Sequence, residues 1–137
     1  IREQLERVSE CDLALFTVGT LDEDSHAVRC GALGRQELAK LRSMGAVGVI
    51  AGQVIAADGT QLDCDYNRRV ISADFDAVKA IPKRLMVVQE DEKFEPLLAA
   101  INGRFATHLV LTARMAARLL ERANVAAGVE TPAPASA

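Results

Sequence analysis

The sequence has few aromatic residues. They make up 4% of the 137 residues, and tryptophan is absent. The core must therefore be built from Leu, Val, Ile and Ala, and the chain is long enough for one domain with such a core. Aliphatic cores are typical of parallel α/β folds, in which strands buried on both faces appear as continuous apolar runs.

The sequence also lacks a strongly basic segment. Its net charge is −3, its pI is about 5.4, and no more than two Lys or Arg residues are consecutive. Because phosphate contacts dominate nucleic-acid affinity, a DNA-binding module usually carries a basic face. We therefore do not expect this chain by itself to bind DNA.

The motifs of several other protein classes are missing as well. Cys11, Cys30 and Cys64 are far apart and have no zinc-site spacing, so we expect free thiols in a reducing compartment. No apolar run approaches the roughly 18 residues needed to span a membrane, and no signal peptide is visible. Neither a Ser-His-Asp or Cys-His arrangement nor a Gly-rich nucleotide loop is found. The sequence thus predicts no metal, no cofactor and no catalytic residue.

Short apolar runs alternate with amphipathic segments along the chain. Strands are predicted for the runs at 13–18, 47–56, 69–71, 84–88 and 107–111. Helices are predicted for residues 1–10, 36–44, 75–81, 92–102 and 113–122. Asp74 and Thr112 are suitable N-cap residues for two of these helices.

This alternation predicts an α/β fold, with a three-layer α/β/α architecture around a mostly parallel sheet. Ligands bind to such sheets beyond the carboxyl ends of the strands, in the loops that lead into helices. The loops at residues 19–25 and 89–93 fit that description. Gly19 would let the backbone approach a ligand, Thr20 offers a hydroxyl, and Lys93 at a helix start suits an anion.

Several segments, taken in order, resemble the SorC family of sugar-responsive transcription regulators. The matching segments are residues 12–22, 37–48, 57–59, 67–71, 81–93 and 107–112, within roughly residues 1–122. The resemblance implies the later part of an effector-binding domain, whose fold is similar to those of sugar-phosphate isomerases and CoA transferases. It also implies a helix-turn-helix DNA-binding domain and a first half of the effector domain, neither of which is in this chain.

The resemblance implies a set of ligand-binding residues in the two loops. They are Gly19, Thr20, Arg29, Gln89 and Lys93. The family has a phosphate-contacting lysine at the position of Lys93, but it has paired glycines where this chain has Gln89 and Glu90. Acidic neighbours raise the cost of bringing an anion to this loop. The effector is therefore left open between a sugar, a phosphorylated sugar and a polyol.

These features predict that residues 1–124 form an effector-binding domain, incomplete at its N-terminal side, and that residues 125–137 form a disordered tail. The domain would couple effector binding to oligomer state and operator affinity in a cytoplasmic, dimeric or tetrameric regulator, with no membrane contact and with DNA contacted only through another domain.

Two alternatives stay open. One is a degenerate interaction or oligomerisation domain without the ancestral ligand. The other is a sugar-phosphate isomerase-like enzyme, for which only Asp22, Glu90 and Lys93 are placed for acid–base chemistry.

Overall fold

A computed structural model describes residues 1–127 of the chain. The helices are α1 (Arg2–Glu6), α2 (His26–Arg29), α3 (Arg35–Ser43), α4 (Asp65–Arg69), α5 (Phe75–Ala80), α6 (Phe94–Asn102) and α7 (Ala113–Ala127). Short 3-10 turns follow α1 at Arg7–Glu10 and precede α6 at Asp91–Lys93. The strands are β1 (Leu13–Phe16), β2 (Ala46–Ile50), β3 (Gln53–Ala56), β4 (Lys83–Val88) and β5 (His108–Leu111).

Three of the strands form a parallel sheet in the order β1-β4-β5. In register, Leu15 of β1 lies opposite Leu85 of β4, which lies opposite His108 of β5. Because the strands are parallel, the loops that follow β1 and β4 emerge at the same edge of the sheet. The predicted α/β fold with a mostly parallel sheet flanked by helices is confirmed.

The apolar run at 47–56 is a hairpin and not the single strand that the sequence predicted. Strands β2 and β3 pair antiparallel and are joined at Ala51 and Gly52, which have φ values of 48° and 80°. Positive φ at both central residues is typical of the tightest hairpin turns, which usually carry Asn-Gly or Asp-Gly. Ala51 occupies the position that Asn or Asp usually takes in such turns, so the sequence did not indicate a turn here.

The predicted strand at 69–71 is also wrong. Residues 65–69 form α4, and the chain then runs extended without pairing. The helix is held by tertiary contacts, because Asn67 is buried and its side chain bonds to the backbone of β3. A further short helix, α2, lies just after the loop that the sequence predicted at 19–25.

The main core lies on one face of the parallel sheet. Met86 and Val88 of β4 pack there against Leu97 of α6 and Met115 of α7, all of them fully buried. Phe105 joins this cluster through an edge-to-face contact with Phe75, with ring centroids 4.6 Å apart. Such close-packed aliphatic and aromatic contacts fix α6, whose first turn leads out of the β4 loop.

The opposite face of the sheet is open within the described residues, and we call it the open sheet face. By strand register and alternation its apolar members are Leu13, Leu15, Leu85, Val87 and Val110. Leu13 and Leu15 are 55% and 68% exposed, and Val110 is 49% exposed. His108 is exposed on this face as well. A contiguous apolar surface of this kind usually marks an interface.

The last helix continues to Ala127, past the end predicted from the sequence. Residues 125–127, which the sequence assigned to the tail, are therefore helical, in keeping with the high helix propensity of alanine. The rest of the predicted tail, residues 128–137, lies outside the described residues. Among residues 1–127, no helix combines the length and the apolar character that a membrane crossing requires.

Candidate functional site

A cavity of about 690 Å³ opens at the carboxyl ends of β1 and β4. The two loops that the sequence singled out meet there. Gly19, Thr20 and Arg29 line the cavity from the segment after β1, and Lys93 lines it from the turn after β4. The structure therefore brings together four of the five predicted ligand-binding residues.

Backbone contacts hold the loop after β1 in place. The N–H of Gly19 donates to the carbonyl of Val49 over 2.8 Å, and the N–H of Val49 donates back to Gly19 over 2.9 Å. Farther along the loop, Nε of Arg42 donates to the carbonyl of Leu21 over 2.8 Å. The β2–β3 hairpin and α3 thus fix this wall of the cavity before any ligand binds.

Ser25 lies in the same wall and was not predicted from the sequence. Its side chain is buried, and among the described residues its Oγ has no hydrogen-bond partner. A buried hydroxyl left without a partner costs about 1–3 kcal/mol. A serine before a helix is usually read as an N-cap, but Ser25 makes no such bond to α2.

The second wall carries an ion pair. Nζ of Lys93 donates to Oε1 of Glu90 over 2.8 Å, and both residues line the cavity. The lysine side chain is 19% exposed and the glutamate side chain 48%. The hydrogen bond from Lys93 lowers the pKa of Glu90, so its carboxylate is charged at neutral pH.

Side chains of helix α7 bind the 3-10 turn that contains Lys93. Arg114 makes an ion pair with Asp91 at 3.0 Å, and Nη1 of Arg118 donates to the Asp91 carbonyl over 3.2 Å. The Arg118 guanidinium also lies 4.0 Å from the ring centroid of Phe94, in a cation–π contact. The position of Lys93 is therefore tied to the closing helix as well as to β4.

Gln89 does not line the cavity, unlike the other predicted residues. It is exposed at the end of β4, and its neighbour Glu90 takes the place in the wall. Successive side chains point to opposite sides of an extended chain, so Gln89 points away from the cavity when Glu90 lines it. The assignment of Gln89 to a ligand site stays a prediction from the sequence, and the lining of this cavity does not include it.

Tyr66, the only tyrosine of the chain, was also missed by the sequence analysis. It is buried in α4, and burial raises the pKa of its hydroxyl. The Arg69 guanidinium lies 5.2 Å from its ring centroid and makes two hydrogen bonds to Glu37 of α3, at 2.7 and 2.8 Å. Tyr66 therefore adds a fixed aromatic surface to a cavity that is lined mainly by loops and by α2.

Charges in the cavity wall balance. Asp24 and Glu90 contribute two carboxylates, while Arg29 and Lys93 contribute two cations. Within residues 1–127, Arg29 forms no ion pair, and no group of three or more His, Cys, Asp or Glu side chains fits a metal ion. The wall is thus rich in hydrogen-bonding groups and close to neutral in net charge.

A pre-formed cavity with a few polar groups at the strand ends of a parallel α/β sheet defines a class of domains that bind small molecules. A protein-family model described as "Putative sugar-binding domain" matches residues 1–121 of this chain. The chain belongs to that family of sugar-binding domains, and the resemblance to SorC-type transcription regulators seen in the sequence is confirmed.

Similar proteins carry regulator names. The chain is 26% identical over 120 residues to the deoxyribonucleoside regulator of Bacillus subtilis, covering 88% of this chain and 38% of that protein. A solved DeoR family transcriptional regulator from Listeria monocytogenes is 29% identical with a TM-score of 0.80, over 85% of this chain and 47% of the other. The full-length sorbitol operon regulator SorC of Klebsiella pneumoniae shares the fold, with 20% identity and a TM-score of 0.77 over 87% of this chain and 39% of the other. The chain thus spans less than half the length of each.

Proposed function

We propose that this chain is the sensing part of a transcription regulator and that the cavity binds a sugar, a phosphorylated sugar or a polyol. The observation that carries the proposal is the meeting of two loops at the strand ends around a cavity whose wall includes Arg29 and Lys93. The volume of about 690 Å³ lies within the range of small-molecule sites and holds a monosaccharide. The relatives are named as regulators, which supports binding of an effector and not catalytic turnover of a substrate.

We further propose that effector binding changes the oligomeric state and operator affinity of a cytoplasmic protein, with DNA contacted through a domain outside this chain. The names of the relatives support a role at operators, and the acidic composition supports a separate DNA-binding domain. Leu120 and Val125 on α7 are 66% and 74% exposed and are suitable for contact with a second copy. Sedimentation of the full-length protein with and without effector tests this coupling.

Thermal melting of the full-length protein against a panel of sugars, polyols and their phosphate esters tests the sensor proposal. We expect one compound to stabilise the folded state by about 2.7 kcal/mol at a hundredfold excess over its Kd. Lys93→Ala should abolish that shift, because Lys93 lines the cavity. Lys40→Ala, which removes a lysine that is mostly exposed outside this cavity, should leave the shift unchanged.

The other outcomes of the melting panel point to the two alternatives. If no compound shifts the melting temperature, the sensor proposal is wrong and a degenerate interaction module is favoured. If a sugar phosphate is instead converted to a new product, which chromatography of the mixture detects, an isomerase-like enzyme is favoured. A shift that survives Lys93→Ala keeps the sensor and removes Lys93 from the site.

We also propose that the sensing domain is completed by a segment of the full-length protein that precedes residue 1 and covers the open sheet face. Two observations support this. Leu13, Leu15 and Val110 are about half or more exposed there, and β1 is hydrogen-bonded on one side only within the described residues. The relatives are also more than twice as long as the part that this chain matches.

Leu15→Glu in the full-length protein tests whether the open sheet face is covered. We expect a loss of about 3 kcal/mol in the free energy of unfolding, because a covered face would bury an unpaired carboxylate and lose the leucine contacts. Ile71→Glu is the matched control, since Ile71 is 72% exposed in a loop and Leu15 is 68% exposed. Equal and small losses for both variants, measured by urea denaturation, would show that the face stays open.

A further inference from the structure

We infer that the cavity selects an uncharged polyhydroxy compound, and that Glu90 excludes the corresponding phosphate ester by occupying Lys93. This inference rests on the proposed function and names the class of ligand within it. It makes Glu90 a specificity-determining residue. The observation behind it is the placement of a carboxylate in hydrogen-bond contact with the more deeply buried cation of the cavity wall.

The geometry leaves Lys93 poorly placed to bind a phosphate. One of its three N–H donors is taken by Oε1 of Glu90 at 2.8 Å. A phosphate group that reached Nζ would lie beside that carboxylate, and like charges at such distances repel strongly in a partly buried site. Because Glu90 is about half exposed, solvent and salt screen part of this repulsion, and we expect it to change affinity by about tenfold.

The other charged residues of the wall do not restore an anion site. Asp24 adds a second carboxylate and Arg29 a second cation to the cavity lining, and both residues are exposed to solvent. An exposed guanidinium is screened by water and attracts an anion weakly. The wall therefore offers no buried cation that is free of a carboxylate partner among the described residues.

The same groups are well suited to hydroxyls. Hydroxyl groups donate to the carboxylates of Asp24 and Glu90 and accept from the remaining N–H donors of Lys93. The ring of Tyr66 adds an apolar surface for the C–H face of a sugar or polyol. A neutral, hydroxyl-rich ligand uses every one of these groups without adding charge.

Isothermal titration calorimetry on the full-length protein separates the two ligand classes. The probes are D-ribose, D-glucose, D-fructose and D-glucitol, each with its terminal phosphate ester, and inorganic phosphate. We expect the wild type to bind one free compound at least about tenfold more tightly than its ester and not to bind inorganic phosphate. In Glu90→Gln, which keeps the shape and removes the charge, the ratio of ester to free affinity should rise about tenfold.

Glu92→Gln is the matched control. It removes the same charge from the 3-10 turn that directly follows Glu90, but Glu92 is exposed and does not line the cavity. Its ratio of ester to free affinity should equal that of the wild type. The melting temperature of both variants without ligand confirms that they fold; should Glu90→Gln fail to fold, Glu90→Ala takes its place.

Each remaining outcome has a definite meaning. A wild type that binds an ester more tightly than the free compound overturns this inference and leaves the sensor function standing. An equal ratio in the wild type and in Glu90→Gln removes Glu90 from specificity. Binding of none of the compounds by wild type and variants contradicts the proposed function itself, and this inference with it.

Discussion

Replacement of Asn67 by alanine is expected to lower the free energy of unfolding by about 3 kcal/mol. The side chain is buried and joins α4 to the hairpin. The N–H of Val54 donates to its Oδ1 over 2.7 Å, and its Nδ2 donates to the carbonyls of Val54 and Leu62 over 2.9 and 2.7 Å. Alanine would leave the N–H of the fully buried Val54 without this partner, which alone costs about 1–3 kcal/mol, and would add a cavity.

Asn102→Ala is the control for this experiment. Its Nδ2 also donates to a backbone carbonyl, that of Ala57 at 3.0 Å, but the residue is exposed and water can replace the bond. Urea denaturation of the full-length protein should give a loss below about 1 kcal/mol for this variant. Equal losses in Asn67→Ala and Asn102→Ala would show that Asn67 does not hold α4 to the hairpin.

Asn67 also illustrates what local sequence patterns miss. The apolar residues around 69–71 favour a strand by propensity, yet residues 65–69 are helical. The hydrogen bonds that hold this segment run to Val54, thirteen positions away, and no local signal encodes them. Tertiary contacts of this kind override propensity in short elements, whereas longer periodic segments such as α3 and α6 were predicted within one or two residues.

The candidate site was predictable in part for a clear physical reason. The parallel sheet places the loops after β1 and β4 at one edge, so Gly19, Thr20 and Lys93 could be expected to meet. Ser25 and Tyr66 were not predictable, because both depend on how α2 and α4 pack against the loop. Glu90 and Lys93 are three positions apart in one turn, so an ion pair between them could be expected from the sequence. How deeply the pair is buried depends on β4 and α7 and could not be.

Gly59→Ala is expected to have the other large effect, a loss of about 2–4 kcal/mol in the free energy of unfolding. A Cβ at this position would lie 2.4 Å from the carbonyl oxygen of Ala99 and 2.4 Å from the backbone of Gly103. These are backbone atoms at the end of α6 and cannot rotate away. Overpacking of this kind costs about 1–3 kcal/mol, and the φ of +79° adds about 1 kcal/mol for any L side chain.

Gly45→Ala separates the two contributions to this loss. Gly45 has a φ of +90°, but a Cβ there would meet no atom within 4 Å, so only the conformational cost of about 1 kcal/mol applies. The excess loss in Gly59→Ala reports the contact with α6. Because Lys93 immediately precedes α6 as its N-cap residue, displacement of this helix should also weaken effector binding in Gly59→Ala and not in Gly45→Ala. Denaturation and calorimetry on the full-length variants measure both effects, and equal losses for the two glycines would show that the turn at Gly59 does not position α6.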